Sequence, residues 1–293
     1  MKTSHRACLQ ALSIALLLAG TGAAEAAINP GQPPTGILPG ESSSGEFFLS
    51  VWDPTALTSY SYDLGLTVDA LLADPTTPRT WNLDQRFFDF AGSGNALTFN
   101  IAASNGYPAL LNDAGGVNAN FGFVASHRLG ASFNTSPINN ASLGQIYSAF
   151  TGHIQYLNNA QVAQNPGAVQ GDFAANLSEI TTSTTAGSYF NKDWGVRQNK
   201  IPWNASAVVR SPDAEDLTLD LYFIHANPAA VGAAALIEQI GGGTTPFQFA
   251  LDANAGTLTW AAQPSVVPLP AADWLLLSGL GSLGWLARRL KKP

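Results

Sequence analysis

Alternation of apolar and polar positions dominates the first half of the chain and predicts β-strands. Residues 47–53 form a nearly continuous apolar run that Pro54 ends, and residues 60–68 alternate as Tyr-Ser-Tyr-Asp-Leu-Gly-Leu-Thr-Val. Further candidate strands, separated by Gly, Asn, Pro or Ser, follow at residues 86–90, 96–102 and 120–126. Short strands at such close spacing are typical of an antiparallel sandwich or barrel.

The periodicity changes to that of a helix after Asn140. Apolar residues then recur at helical spacing, at Leu143, Ile146, Tyr147, Phe150, Ile154 and Leu157. This stripe predicts a helix of about 20 residues with Asn140 as its N-cap, although Gly144 and Gly152 oppose it. The small and polar residues 165–188 then predict either a long loop or a weak edge strand.

β-structure is predicted again in the last third of the chain. Residues 217–224 give the clearest strand, residues 233–240 a short helix that ends at three glycines, and residues 247–251 and 257–260 a hairpin. The predicted fold class is therefore all-β, an antiparallel sandwich of jelly-roll type with a helical insertion.

The N-terminus has the three parts of a signal peptide. Lys2, His5 and Arg6 form a charged region and residues 9–18 a short apolar one. Ala24 and Ala26 then flank Glu25 in an A-x-A cleavage site, which predicts a mature chain that starts at Ala27. Cys8 is the single cysteine and lies before this cleavage site, so the predicted mature chain can form no disulfide.

Three chemically different pieces follow one another in the last residues, which we call the sorting tail (residues 265–293). A proline motif comes first, then an apolar run with tryptophan at each end, then a basic cluster. The motif is Val267, Pro268, Leu269, Pro270 and Ala271; the predicted anchor includes Trp274, Leu275, Leu276, Leu277, Trp285 and Leu286; the cluster is Arg288, Arg289, Lys291 and Lys292. As a helix, residues 269–287 rise roughly 28 Å, enough to span a bilayer core, with the cations on the cytoplasmic side.

The order V-P-L-P-A, W-L-L-L-S-G-L and L-A-R-R resembles the PEP-CTERM class of sorting tails in its VPLPA variant. Asp273 departs from the apolar or small residue expected there. The resemblance covers about a tenth of the chain. It implies processing by a membrane-embedded exosortase and transfer from the inner membrane to the cell surface, while the N-terminal signal predicts signal peptidase as a second processing partner. A plain C-terminal membrane anchor is the alternative.

The charge of the part that is predicted to be exported limits the partners that it can bind. We divide the chain into a signal peptide (1–26), a Pro/Gly/Ser-rich leader (27–45), a β-domain (46–264) and the sorting tail. Between Ala27 and Val266 there are seven basic and 18 acidic residues, a net charge of −11. Such a surface repels nucleic acid, whose recognition needs clustered Lys and Arg.

Catalytic and metal-binding motifs are sparse. His127, His153 and His225 stand alone in the sequence, so we predict no metal site and no cofactor. A literal G-x-G-x-x-G at residues 279–284 lies in the apolar run without a preceding strand and is no dinucleotide site. The acidic residues Asp213, Glu215, Asp216 and Asp220 lack the order of a calcium loop, which favours a solvated turn over Ca²⁺.

Two tryptophans give the one indication of a ligand. Trp194 and Trp203 lie in a stretch rich in Asn, Asp and Arg, where an exposed indole could stack on a sugar. Packing in the core or in a loop is the alternative.

Two classes of function follow. The first is a non-enzymatic surface or extracellular-matrix protein with a structural or adhesive role in a biofilm, because the resemblance implies an exopolysaccharide context. The second is a secreted lectin-like protein or glycan-active enzyme on the same scaffold.

Overall fold

Strand pairing begins immediately after the leader. The computed structural model describes residues 27–31, 43–106, 121–128, 138–166, 168, 177–184, 207–208, 218–230 and 232–262. All of these belong to one compact unit that ends at Ala262. The signal peptide, Trp194, Trp203, residues 213–216 and the sorting tail lie outside the described residues.

Eleven strands and three helices form in the described part. The strands are β1 (Glu46–Asp53), β2 (Thr58–Thr67), β3 (Arg79–Asn82), β4 (Thr98–Asn105), β5 (Gly122–Arg128), β6 (Ser178–Thr182), β7 (Ala207–Val208), β8 (Thr218–His225), β9 (Leu236–Ile240), β10 (Phe247–Asp252) and β11 (Thr257–Ala262). The helices are α1 (Val68–Ala73), α2 (Gln85–Ala91) and α3 (Asn140–Gln164).

The strands join in one curled sheet. Their order is β3-β11-β10-β8-β5-β4-β1-β2-β6, with β7 added beside β4 and β9 beside β8. Every strand pair of the described residues is antiparallel. The antiparallel β-architecture is therefore confirmed. The described strands nevertheless hydrogen-bond into one connected sheet, whereas the predicted sandwich needs two, because neighbouring strands continue the pairing from one edge to the other.

Each face of the sheet carries a separate hydrophobic core. Residues alternate between the two along β1, where Phe47 and Leu49 face the first core and Phe48 faces the second. Helices α1 and α2 cover the first core, and α3 covers the second through Phe150, Ile154, Leu157 and neighbouring apolar residues. The described domain, whose residues include no cysteine, thus holds together by apolar burial without a disulfide.

The helical insertion is confirmed, and its cap lies one residue earlier than predicted. Asn139 caps α3, because its Oδ1 accepts hydrogen bonds from the N–H and the hydroxyl of Ser142, both at 2.8 Å. The side chain of Asn140 instead turns to the loop after β8: its Nδ2 donates to the carbonyls of Asn227 and Ala230, at 2.8 and 2.6 Å.

Two predicted elements are wrong. Residues 86–90, predicted as a strand, belong to α2, because Asp84 caps that helix and Phe87 and Phe90 face the core one turn apart. Residues 233–240, predicted as a short helix, contain β9, which pairs with the C-terminal half of β8 from Leu221 to His225. The β10–β11 hairpin is confirmed, and the polar stretch after residue 165 contributes β6, which pairs with β2.

Among the helices of the described ranges, none has both the length and the apolar character that a membrane span requires. The predicted anchor of the sorting tail lies outside those ranges.

Candidate functional site

Buried polar side chains lie between α3 and the sheet, and we call this set the polar layer: Glu46, Asp63, Asn158, Gln161 and Glu179. All five are less than one tenth exposed. Asp63 and Glu179 come from β2 and β6, on the face opposite the first core, because their strand neighbours Tyr62 and Ile180 pack against that core. An alternating strand normally turns this face to solvent, but here α3 covers it.

The chain segment 27–31 packs beside β1 and borders the polar layer. Ala27 and Ile28 are fully buried. Asn29 and Glu46 bond reciprocally: the Asn29 N–H donates to Glu46 Oε2 at 2.7 Å, and the Glu46 N–H donates to the Asn29 carbonyl at 2.8 Å. These residues, predicted to belong to an extended leader, therefore pack inside the domain.

The C-terminal half of α3 ties β2 and β6 to the same layer. Gln161 Nε2 donates to the carbonyl of Leu177 at 3.1 Å, and that carbonyl also accepts the N–H of Asp63 at 2.9 Å. One turn later, Gln164 bonds both the N–H and the carbonyl of Ile180, at 2.9 and 2.7 Å. The side-chain amides of α3 thus bond backbone groups of β6 and of the residue before it, in the way that a further paired strand would.

The three carboxyl groups of the layer favour the protonated form. Burial raises the pKa of Glu46 to about 7, although the Asn29 N–H opposes the shift. Burial and then the charge of Glu46 raise the pKa of Asp63 well above its usual range. Burial also raises the pKa of Glu179, and Ser61 opposes the shift. Carboxyl groups this enclosed need a proton or a cation.

Several acceptor atoms of the layer have no hydrogen-bond partner within the described structure. They are Asp63 Oδ2, Gln161 Oε1 and both carboxylate oxygens of Glu179, which have no hydrogen bond of normal geometry although the Ser61 hydroxyl lies near enough to oppose the rise in the Glu179 pKa. Buried polar atoms are nearly always satisfied in folded proteins, so a group of such acceptors indicates a place for a donor or a cation.

The three histidines do not form a common site. Gly122 pairs with His225 and Asp220 pairs with His127, so five residues of strand, roughly 17 Å, separate the two histidines. His153 lies on α3 with its ring centroid 6.0 Å from that of Phe48. No three His, Cys, Asp or Glu side chains come together as metal ligands within the described ranges.

Asp220 also has a structural partner. Its Oδ1 accepts from Gln248 Nε2 at 2.7 Å, across the junction of β8 and β10. The other members of the acidic segment, residues 213–216, lie outside the described residues, so the predicted solvated turn is not tested.

The tryptophans of the described part pack within the fold, and Trp52 is half-buried against the second core. Trp260 is fully buried and its indole N–H donates to the carbonyl of Pro75 at 3.0 Å, while that of Trp81 donates to the carbonyl of Leu64 at 2.8 Å. The predicted glycan contacts Trp194 and Trp203 fall outside the described residues.

The polar layer was not predicted from the sequence. Glu46 begins the mainly apolar strand β1 and Asp63 lies on the polar face of the alternating strand β2. A carboxylate at either kind of position is normally solvated. The available signal was the long helical stripe beginning at Leu143, which needed a sheet face to cover.

Comparisons with protein-family models, with curated proteins and with solved structures found no match to this chain.

Proposed function

We propose that the protein is exported by a bacterium, sorted to the cell surface by its tail, and retained there or in the extracellular matrix in a non-catalytic structural or adhesive role in a biofilm. The order of residues in the tail carries this proposal: a proline motif at 267–271, an apolar run, and a basic cluster at 288–292. Each piece matches one step, namely recognition by exosortase, anchoring in the inner membrane, and retention of the cationic end in the cytoplasm.

The body of the protein supports export. Ala27, the predicted first residue after signal-peptide cleavage, is fully buried, so the described domain includes the chain from the predicted cleavage site onward. The chain from Ala27 onward contains no cysteine. Its stability therefore does not depend on the redox state of the compartment that it reaches.

The enclosure of the carboxyl groups supports a structural role over hydrolysis of glycans. A glycosidase places two carboxyl groups about 5 to 9.5 Å apart on either side of a bound sugar. The neighbouring carboxyl groups of Glu46 and Asp63 are 5% and 0% exposed, and Glu46 is bonded to a backbone N–H. A sugar could not reach this pair without opening the layer beneath α3.

Mass spectrometry of both termini of the surface-released protein tests the proposal. We expect a first residue of Ala27 and a last residue near 268–271. A double variant, Pro268→Ala with Pro270→Ala, should stay in the membrane fraction with the basic end intact, whereas the neighbouring variant Pro264→Ala should be processed normally. Full-length protein in the cytosol contradicts export, and a wild-type protein that keeps Lys291 and Lys292 at the surface contradicts processing.

Retention on purified exopolysaccharide tests the adhesive role. We expect the released protein to be retained, without release of sugar fragments. Loss of retention in a Trp194→Ala and Trp203→Ala double variant, with Trp81→Phe as the control, would assign a lectin-like site to those tryptophans. Release of fragments would identify a glycan-active enzyme and contradict the non-catalytic role.

A further inference from the structure

The segment 27–31 runs along α3 in a defined direction. The Tyr147 hydroxyl donates to the Gly31 carbonyl at 3.3 Å, in the N-terminal half of the helix. Eleven residues later, Asn158 bonds both backbone groups of Ile28, at 2.8 and 3.0 Å. Ala27, one residue further, therefore lies toward the C-terminal half of α3, where Gln161 contacts the carbonyl of Leu177.

The backbone nitrogen of Ala27 lies within about 10 Å of the Glu46 carboxylate. Two residues of extended chain span at most about 7 Å, which bounds its separation from the nitrogen of Asn29. That nitrogen is 2.7 Å from Glu46 Oε2. The charge of Glu46 raises the pKa of Asp63. Glu179 lies diagonally across from Asp63 on the same face of the sheet, and such diagonal neighbours are typically roughly 7 to 8 Å apart.

This end of the polar layer contains excess acceptors. Asp63 Oδ2 and Gln161 Oε1 have no hydrogen-bond partner, the Glu179 oxygens have none of normal geometry although the Ser61 hydroxyl lies beside them, and all three residues are fully buried. None of the three carboxyl groups forms an ion pair with a Lys or Arg side chain of the described residues. The arrangement fits a compact cation with several N–H donors.

We propose that this cation is the α-ammonium group of Ala27, produced when the signal peptide is removed, and that Asp63, Gln161 and Glu179 bind it. The inference rests on the proposed export and on cleavage after Ala26. In that step one water molecule adds across the Ala26–Ala27 peptide bond, so that Ala26 leaves with a carboxylate and Ala27 gains a protonated amine.

The binding couples maturation to stability. Before cleavage, residue 27 carries a neutral amide with one N–H, and the carboxyl groups must stay protonated or destabilise the fold. After cleavage, a three-donor cation occupies the same place and favours their ionised forms. The mature domain is therefore more stable than the precursor at neutral pH, and the precursor stays easier to unfold for export.

Two forms of the chain test how the α-amine of Ala27 affects stability. Both end at Pro293 and are kept in detergent micelles. One starts at Ala27 and the other carries a Ser-Gly dipeptide before Ala27, so that its ammonium group lies two residues away. We expect the Ala27 form to have the higher Tm at pH 8 and to lose less Tm between pH 5 and pH 8. In the folded Ala27 form, acylation of the α-amine should be at least tenfold slower than in urea.

The titratable groups that face the layer are Glu46 of β1, Asp63 of β2, Glu179 of β6, and Tyr147 and His153 of α3. Variants distinguish the three carboxyl groups from the rest. Glu179→Gln should shrink the difference in Tm between the two forms and speed acylation of Ala27, whereas Glu238→Gln, which changes a carboxylate that is 68% exposed, should alter neither.

Equal pH profiles for the two forms, or acylation of folded Ala27 as fast as in urea, would overturn the inference. Because both forms are made with defined starts, this result does not depend on export. A natural N-terminus other than Ala27 would instead contradict the cleavage step of the proposed function, while leaving the measured affinity of the layer for the amine intact.

Discussion

The side-chain amide of Asn158 bonds both backbone groups of Ile28: its Oδ1 accepts from the N–H at 2.8 Å and its Nδ2 donates to the carbonyl at 3.0 Å. The two residues are 130 positions apart in the sequence. Because Ile28 is fully buried, neither of its backbone groups has water as an alternative partner. These two hydrogen bonds hold the segment 27–31 against helix α3 inside the domain.

Replacing Asn158 with Ala should lower the free energy of unfolding by about 2 to 4 kcal/mol, because it leaves two buried backbone groups without partners. Urea denaturation measures the change. Gln155→Ala, on the exposed side of the same helix, is the matched control and should change stability by less than about 0.5 kcal/mol. Equal effects of the two substitutions would mean that the bonds to Ile28 contribute nothing measurable.

Glu46→Gln should flatten the pH dependence of stability in the Ser-Gly-extended form. Burial raises the pKa of Glu46 from 4.5 to about 7, so the folded state holds a proton that the unfolded chain has released. This contribution is complete below pH 4.5 and is lost as the pH rises through 7. We expect the wild type to lose roughly 3 kcal/mol more than the variant between pH 4.5 and 8.

Denaturation curves at half-unit pH intervals measure that difference, with Glu238→Gln as the control. A pH profile that is the same in the wild type and in the Glu46 variant would contradict a raised pKa for this carboxyl group.

Asp53→Asn should lower stability at neutral pH by about 1 to 3 kcal/mol. Burial alone would raise the pKa of Asp53, but donors surround its carboxylate and bring the net pKa below 3.8. These donors are the N–H groups of Thr55 and Ala56, the Ser93 hydroxyl and the Asn95 amide. A carboxamide would turn an N–H₂ group toward the last two.

The sign of the pH effect follows from the lowered pKa. The carboxylate of Asp53 stabilises the fold above pH 3.8, and this stabilisation is lost as the pH falls through the lower folded value. The difference in Tm between wild type and variant should therefore shrink below pH 3. Asp252→Asn is the control, because Asp252 also accepts two turn N–H groups but is exposed; a larger loss there would contradict the prediction.

Two glycine-to-alanine substitutions should act in opposite directions. A Cβ at Gly122 would lie 2.2 Å from the Ile224 carbonyl oxygen, so Gly122→Ala should destabilise the sheet by at least about 3 kcal/mol. A Cβ at Gly152, inside α3, would meet nothing within 4 Å, and Gly152→Ala should stabilise the protein by about 0.5 to 1 kcal/mol. Thermal unfolding compares them, and a stabilising effect at Gly122 would contradict the close approach of β5 and β8.

Local patterns predicted the elements whose signal lies in neighbouring residues. The alternation in β2, the apolar run of β1, the Leu143 stripe of α3 and the β10–β11 hairpin are all confirmed. The wrong predictions concern short segments whose apolar pattern fits both the period of a strand and that of a helix. Residues 86–90 are apolar enough for a strand, but the cap at Asp84 makes them helical, and residues 236–240 are strand only because β8 offers them an edge.

The sequence alone determined the antiparallel β-character and the helical insertion, and it predicts the signals at both ends, because these depend on residues close together along the chain. Tertiary structure decided the environment of Asp63 and Glu179. Their strands alternate as if this face met water, yet α3 covers it. This helix immediately precedes β6 but is far along the chain from β2, and no local pattern in β2 indicates it. The burial of a carboxyl group, and hence its pKa and its need for a cation, depends on which element packs over it.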